Sequence, residues 1–227
     1  ITMWTTNQLG LATWTDSQAT WGFDARGGHA IQMATTDDMS ESSLVRLRPV
    51  DQTNHPDAGE QFIRGKSWNV NYPQRDGGHA LRIAFEPIES TANTLLLQTT
   101  ISIQTDLLDT NPKLDVEVAA DSIDSFATHG SQSKGSSDDH GCPPVSIARG
   151  PNGFIAVLLG PYDSPFTTNL STPSSMRLRL FGEFLEKGVI RKAKPWILID
   201  RSGQSPDRQQ LETHWQQLRD SPLPLTP

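Results

Sequence analysis

The stretch that most constrains this chain runs from Thr94 to Asp109, TLLLQTTISIQTDLLD. Leu95, Leu97, Thr99, Ile101, Ile103 and Leu107 alternate there with Leu96, Gln98, Thr100, Ser102, Gln104 and Asp106. A period of two places the first set on one face of a strand and the second on the other. About fourteen residues at roughly 3.3 Å each would span about 45 Å, well beyond an ordinary strand. A strand of that length needs a broad sheet beside it and a second layer against its apolar face. The expected architecture is therefore all-β: a large antiparallel, supersandwich-like β-sandwich with one polar outer face.

At 227 residues the whole chain, 1–227, fits a single sandwich domain, with a core large enough to need no staples. The formal charge of −7 disfavours a nucleic-acid surface, which needs clustered Lys and Arg, and an anionic membrane surface. No apolar run approaches the roughly 18 residues of a spanning helix. Cys142 is the sole cysteine, so an intrachain disulfide is impossible. The opening Ile1 in place of Met is what removal of a leader or an upstream segment would leave, and no signal peptide is recognisable. The Asn169-Leu170-Ser171 sequon matters only in a secreted eukaryotic protein and is more simply a chance tripeptide. Nothing specifies a compartment or an oligomeric state.

Along the chain, Leu9, Leu11 and Thr13 alternate with Gly10 and Ala12 as an early strand, among Trp4, Trp14 and Trp21. Gly27-Gly28 before His29-Ala30-Ile31 suits a hairpin turn, because glycine accepts positive φ. The same words recur at Gly77-Gly78-His79-Ala80-Leu81, and Ala148-Arg149-Gly150 is a looser echo of Ala25-Arg26-Gly27. The spacing is not periodic, which argues against a repeat array and for reused hairpin chemistry. Pro49 should end a strand or sit at an edge. Trp68, Val70 and Tyr72 alternate with Ser67, Asn69 and Asn71, giving one strand an aromatic face.

If Ala80 to Glu86 runs antiparallel to Thr94 to Thr100 across a Pro87–Asn93 loop, Phe85 faces Leu95, Ile83 faces Leu97 and Arg82 faces Gln98. A one-residue slip would oppose apolar to polar side chains, so patterning sets the parity of the register. Leu114, Val116 and Val118 should point inward, with Asp115 and Glu117 outward. Residues 129–144, HGSQSKGSSDDHGCPP, read as a flexible loop. Gly153 to Gly160 is apolar on both faces and suits a central, fully buried strand. Glu186-Lys187-Gly188 should turn a late hairpin that carries Arg177, Arg179, Arg191, Lys192 and Lys194. One helix is expected at about 206–220, capped by Ser205, with Pro206 in its first turn. Its Leu211, Trp215 and Leu218 form a stripe to lie on the sandwich.

Candidate chemistry is sparse. Asp138-Asp139-His140-Gly141-Cys142 holds metal-capable types without ligand spacing, so no metal site is expected. His29 and His79 could serve as acid or base near neutral pH, or simply hydrogen-bond their own turns. Asp115 and Glu117 share a strand face, as polar residues on an outer face ordinarily do. Gly-x-Ser-x-Gly, Gly-x-Gly-x-x-Gly and Walker motifs are absent, and no cofactor is implied. The strongest candidate is the polar face of the long strand. Arg82, Gln98, Thr100 and Gln104 could hydrogen-bond sugar hydroxyls there, while Trp68 or Tyr72 stacks on a ring.

Long antiparallel strands with a polar face and a late helix resemble, at the level of fold, large sugar-binding sandwiches of the mutarotase type. A fold-level likeness carries no function by itself. The expected function is a non-catalytic carbohydrate-binding or accessory domain. The alternatives are a sugar epimerase or glycoside hydrolase using His79 with a carboxylate such as Asp106, and a structural or protein-interaction domain.

Overall fold

The computed structural model describes residues 3–35, 44–75, 78–128 and 142–222. The chain lays down β1 (Met3–Gln8), β2 (Leu11–Thr15), β3 (Thr20–Asp24), β4 (Ile31–Thr35) and β5 (Val45–Pro49) in a first sheet. It then crosses to a second sheet for β6 (Glu60–Arg64), β7 (Ser67–Tyr72), β8 (Ala80–Ser90) and β9 (Thr94–Gln104). β10 (Lys113–Ala119) returns to the first; β11 (Ser122–Phe126), β12 (Val145–Gly150) and β13 (Gly153–Leu158) belong to the second. β14 (Thr168–Asn169) and β15 (Ser175–Phe181) close the first sheet, and β16 (Ile190–Ala193) and β17 (Trp196–Asp200) complete the second. The helix α1 (Arg208–Asp220) follows.

Among the described residues the first sheet has the order β1-β2-β3-β4-β5-β10-β15-β14. The second has β11-β12-β13-β17-β9-β8-β7-β6, with β16 also beside β9. Neighbours are antiparallel throughout, so the chain is the all-β sandwich its patterning requires.

The alternation in β9 holds. Leu95, Leu97, Thr99, Ile101 and Ile103 are buried in the inter-sheet core, and Gln98, Thr100, Ser102 and Gln104 lie on the outer face. The strand stops at Gln104, short of Asp109, because Gln74 captures the chain there: the Asp106 amide donates to Gln74 Oε1 at 3.0 Å. The pairing of β8 with β9 keeps the expected parity but sits four residues further along, with Arg82 opposite Ser102 and Ile83 opposite Ile101. The reason is Pro87. The strand does not end there; a bulge between Pro87 and Glu89 absorbs it, and pairing continues to Ser90.

Rings from both sheets meet in the core. Trp4 packs on Trp14, Phe23 and Trp68 at centroid distances of 5.3, 5.0 and 5.5 Å, and Trp68 stacks on Phe85 at 5.2 Å. A second apolar cluster lies on the far side of the second sheet, where Leu211, Trp215 and Leu218 of α1 cover Leu96, Phe154, Leu158 and Leu198. β13 is therefore buried on both faces, as its composition requires. The helix begins later than expected: Asp207 is the N-cap, accepting from the Gln209 amide at 2.9 Å, and Ser205 and Pro206 precede it.

Two other expectations need correcting. Residues 186–188 do not turn a hairpin, because β15 and β16 belong to different sheets. Phe181 and Gly182 adopt φ of 65° and 99°, a consecutive left-handed pair that swings the chain out of the first sheet. Asp115 lies on the outer face yet is only 1% exposed. Arg177 Nε donates to it at 2.5 Å and Arg179 grips it through Nε and Nη2 at 2.8 and 3.0 Å. Burial alone would raise the Asp115 carboxyl, but the hydrogen bonds from Arg179 and Arg177 prevail and hold it below the usual range. Of the loop expected at 129–144, residues 129–141 lie outside the described residues.

The ring column generates a prediction. Trp68 is fully buried between two sheets, so Trp68→Ala should cost about 3–5 kcal/mol in urea unfolding, with Trp68→Phe costing much less. A loss below about 1 kcal/mol would show that these rings do not hold the sheets together.

Candidate functional site

Outward positions of five adjacent strands build the site. The register aligns Glu60, Asn71, Arg82, Ser102 and Lys192 in one row across β6, β7, β8, β9 and β16. A neighbouring row carries Asn69, Ala84 and Thr100, and another Ala80, Gln104 and Ile190. Small side chains at Ala80, Ala84, Thr100 and Ser102 keep the floor low while longer ones rise around them. The result is a groove of about 990 Å³ on the outer face of the second sheet.

Polar contacts order one side of it. Arg82 Nε donates to Asn71 Oδ1 at 2.7 Å, and Asn71 Nδ2 donates to Glu60 Oε2 at 2.7 Å. The Arg82 guanidinium also lies 5.9 Å from the Phe62 ring centroid. A side chain held by one amide and one ring presents its remaining donors in a defined direction. At the opposite wall Gln104 Nε2 donates to the Gly188 carbonyl at 3.4 Å.

Of the six residues expected to bind ligand, Arg82, Thr100 and Gln104 line this groove with accessible side chains, and Tyr72 borders it while almost wholly buried. Gln98 does not: half-buried, it accepts from Trp196 Nε1 at 3.1 Å near the helix-covered half of the sheet. Trp68 and Tyr72 are corrected outright as stacking platforms. Trp68 is 0% exposed and donates through Nε1 to Gln61 Oε1 at 3.3 Å. Tyr72 is 1% exposed and donates its hydroxyl to the Ala25 carbonyl at 2.6 Å, and burial pushes its phenol up. Their strand faces its aromatic side inward, so Asn69 and Asn71 take the groove. The alternation in SWNVNY contains that signal: an inward Trp68, Val70 and Tyr72 obliges both asparagines to point out.

The histidines lie elsewhere. His29 is exposed. His79 lines a hollow of about 210 Å³ with Asp51 and Lys113, not with Asp106. Burial lowers the His79 imidazole, with Asp51 opposing the shift. His55, which sequence reasoning did not single out, is 4% exposed, with Nε2 donating to the Leu47 carbonyl at 2.9 Å. Cys142 is buried beside Ser146, and burial lifts its thiol to about 11, which removes thiolate chemistry at neutral pH. Asp138 to Gly141 lie outside the described residues; among those described, no cluster of three or more His, Cys, Asp or Glu could hold a metal ion.

Comparison of the chain with protein-family models, with curated proteins and with solved structures gives no match.

His55 supplies a pH prediction. Burial depresses it to about 4, with the Leu47 hydrogen bond opposing and nearby His79 adding to the shift, so it is neutral in the folded protein at pH 7. Between that value and the ordinary 6.5 the unfolded chain binds a proton that the folded protein does not. Its contribution is therefore full above pH about 6.5 and is lost as pH falls toward about 4. Unfolding free energies from urea titrations should decline across that window by about 3 kcal/mol in total, and His55→Gln should flatten the decline. An equally steep decline in the variant would assign the effect to other groups.

Proposed function

We propose that this protein is a non-catalytic carbohydrate-recognition module whose ligand lies along the groove over β7, β8, β9 and β16. The observation that carries this reading is the groove's chemistry. Asn69 and Asn71 amides, Thr100 and Ser102 hydroxyls, Gln104 and the Arg82 guanidinium converge on one rigid surface of about 990 Å³. Amides and hydroxyls that both donate and accept match vicinal sugar hydroxyls, and a sheet holds them with little entropy left to lose.

Recognition is favoured over hydrolysis by the carboxylate inventory. Glycoside cleavage ordinarily uses two carboxyl groups about 5 to 9.5 Å apart across the substrate. Among the described lining residues Glu60 is the single carboxylate, and Asn71 already donates to it. His79 and Asp51 sit in a different hollow.

A glycan-array screen followed by calorimetric titration tests the reading. At least one glycan should bind, Arg82→Ala should weaken it about tenfold, and Ser102→Trp, which fills the floor, should abolish it. Undiminished binding by Ser102→Trp would place the ligand outside the groove. Silence across the array would move the assignment to a protein-interaction domain.

A further inference from the structure

We infer that the groove selects an acidic saccharide, one bearing carboxylate or sulfate groups; this rests on the carbohydrate reading above. The chain as a whole carries a formal charge of −7, yet this groove is lined by Arg64, Arg82 and Lys192 against Glu60 alone among the described residues. The local balance is thus opposite in sign to that of the protein. Elsewhere on the surface arginines meet carboxylates: Arg26 with Asp24, Arg48 with Glu117, Arg75 with Asp57, Arg177 and Arg179 with Asp115, Arg191 with Glu183. Arg64 and Arg82 have no carboxylate partner among the described residues, and Arg82 is held instead by the neutral Asn71. Two guanidiniums without acids, in a concave site of an acidic protein, are positioned for an anion that comes from outside.

The rest of the lining narrows that anion to a saccharide. Between Arg82 and Lys192 on the same row lies Ser102, flanked by Thr100 and Gln104, so the charged groups are spaced along hydroxyl- and amide-bearing floor. A polymer matching it alternates anionic groups with hydroxyls. A single nucleic-acid strand would want a run of aromatic platforms, whereas the described residues offer Tyr72 at 1% exposure and one exposed ring, Phe62, beside Arg82 at the edge of the groove.

The test compares paired probes on the full chain: an oligogalacturonate with its carboxyl-reduced neutral counterpart, and a dextran sulfate oligomer with plain dextran of equal length. In about 50 mM salt the acidic member of at least one pair should bind about tenfold or more tightly than its neutral partner, and the gap should shrink by 300 mM salt. The double variant R64Q/R82Q, both exposed positions, should retain its unfolding midpoint and lose the preference. Equal binding of acidic and neutral members overturns the acidic selection and leaves the groove reading standing, as does silence of both pairs beside a neutral hit on the array. Silence on every glycan overturns both. A preference that survives in R64Q/R82Q shows that charge is read elsewhere. Oligothymidylate binding as tight as the acidic saccharide reduces the site to a general polyanion surface and overturns the saccharide assignment.

Discussion

Trp68 stacked on Phe85 and packed against Trp4 joins the two sheets, and much else follows from that contact. Two sheets facing each other at about 10 Å must fill the gap with interdigitating side chains. Here large rings from β1, β2 and β3 meet large rings from β7 and β8 at one end of the sandwich. Turning β7 to bring Trp68 and Tyr72 inward leaves Asn69 and Asn71 no direction but out. The core and the groove are two sides of the same register.

The second sheet is wet on one half of its outer face and dry on the other. Leu96 and Leu198 lie under Trp215 and Leu218, while Thr100 and Ser102 open to the groove. The change occurs where β16 gives way to β17. Both strands follow one register against β9, with Ala193 opposite Ile101 and Trp196 opposite Gln98, so Lys194-Pro195 interrupts a single line. Pro195 has no amide to give to the ladder, though its carbonyl accepts from the Thr99 amide at 3.0 Å. Lys194, released from regular pairing, sends Nζ to Ser221 Oγ and the Pro222 carbonyl, each at 2.6 Å. A cation at the C-terminal end of α1 complements the helix dipole while fastening the helix over the dry half.

The period of two in β9 and the two-faced apolar run in β13 were legible because each is a local property of side-chain alternation. Register was legible only to parity, since alternation repeats every two residues and a shift of four changes no face; the continuation of pairing past Pro87 to Ser90 and Leu95 decided the remainder. The passage from β15 to β16 was illegible because it depends on Phe181 adopting positive φ, which a phenylalanine does not advertise. The groove was half legible. Arg82, Thr100 and Gln104 followed from alternation, but aromatic residues suggest ring stacking and core packing alike. Tyr72 and Trp68 could be assigned only once the opposing layer was known.

The separation of the two faces along β9 has an evolutionary consequence. Thr100, Ser102 and Gln104 project into the groove, whereas Ile101 and Ile103 between them are buried in the core. Substitutions at the even positions can reshape the groove without altering how the sandwich folds. Along one strand, then, adaptable positions and constrained ones alternate residue by residue, and descendants of this chain can change their outer face while their interiors stay the same.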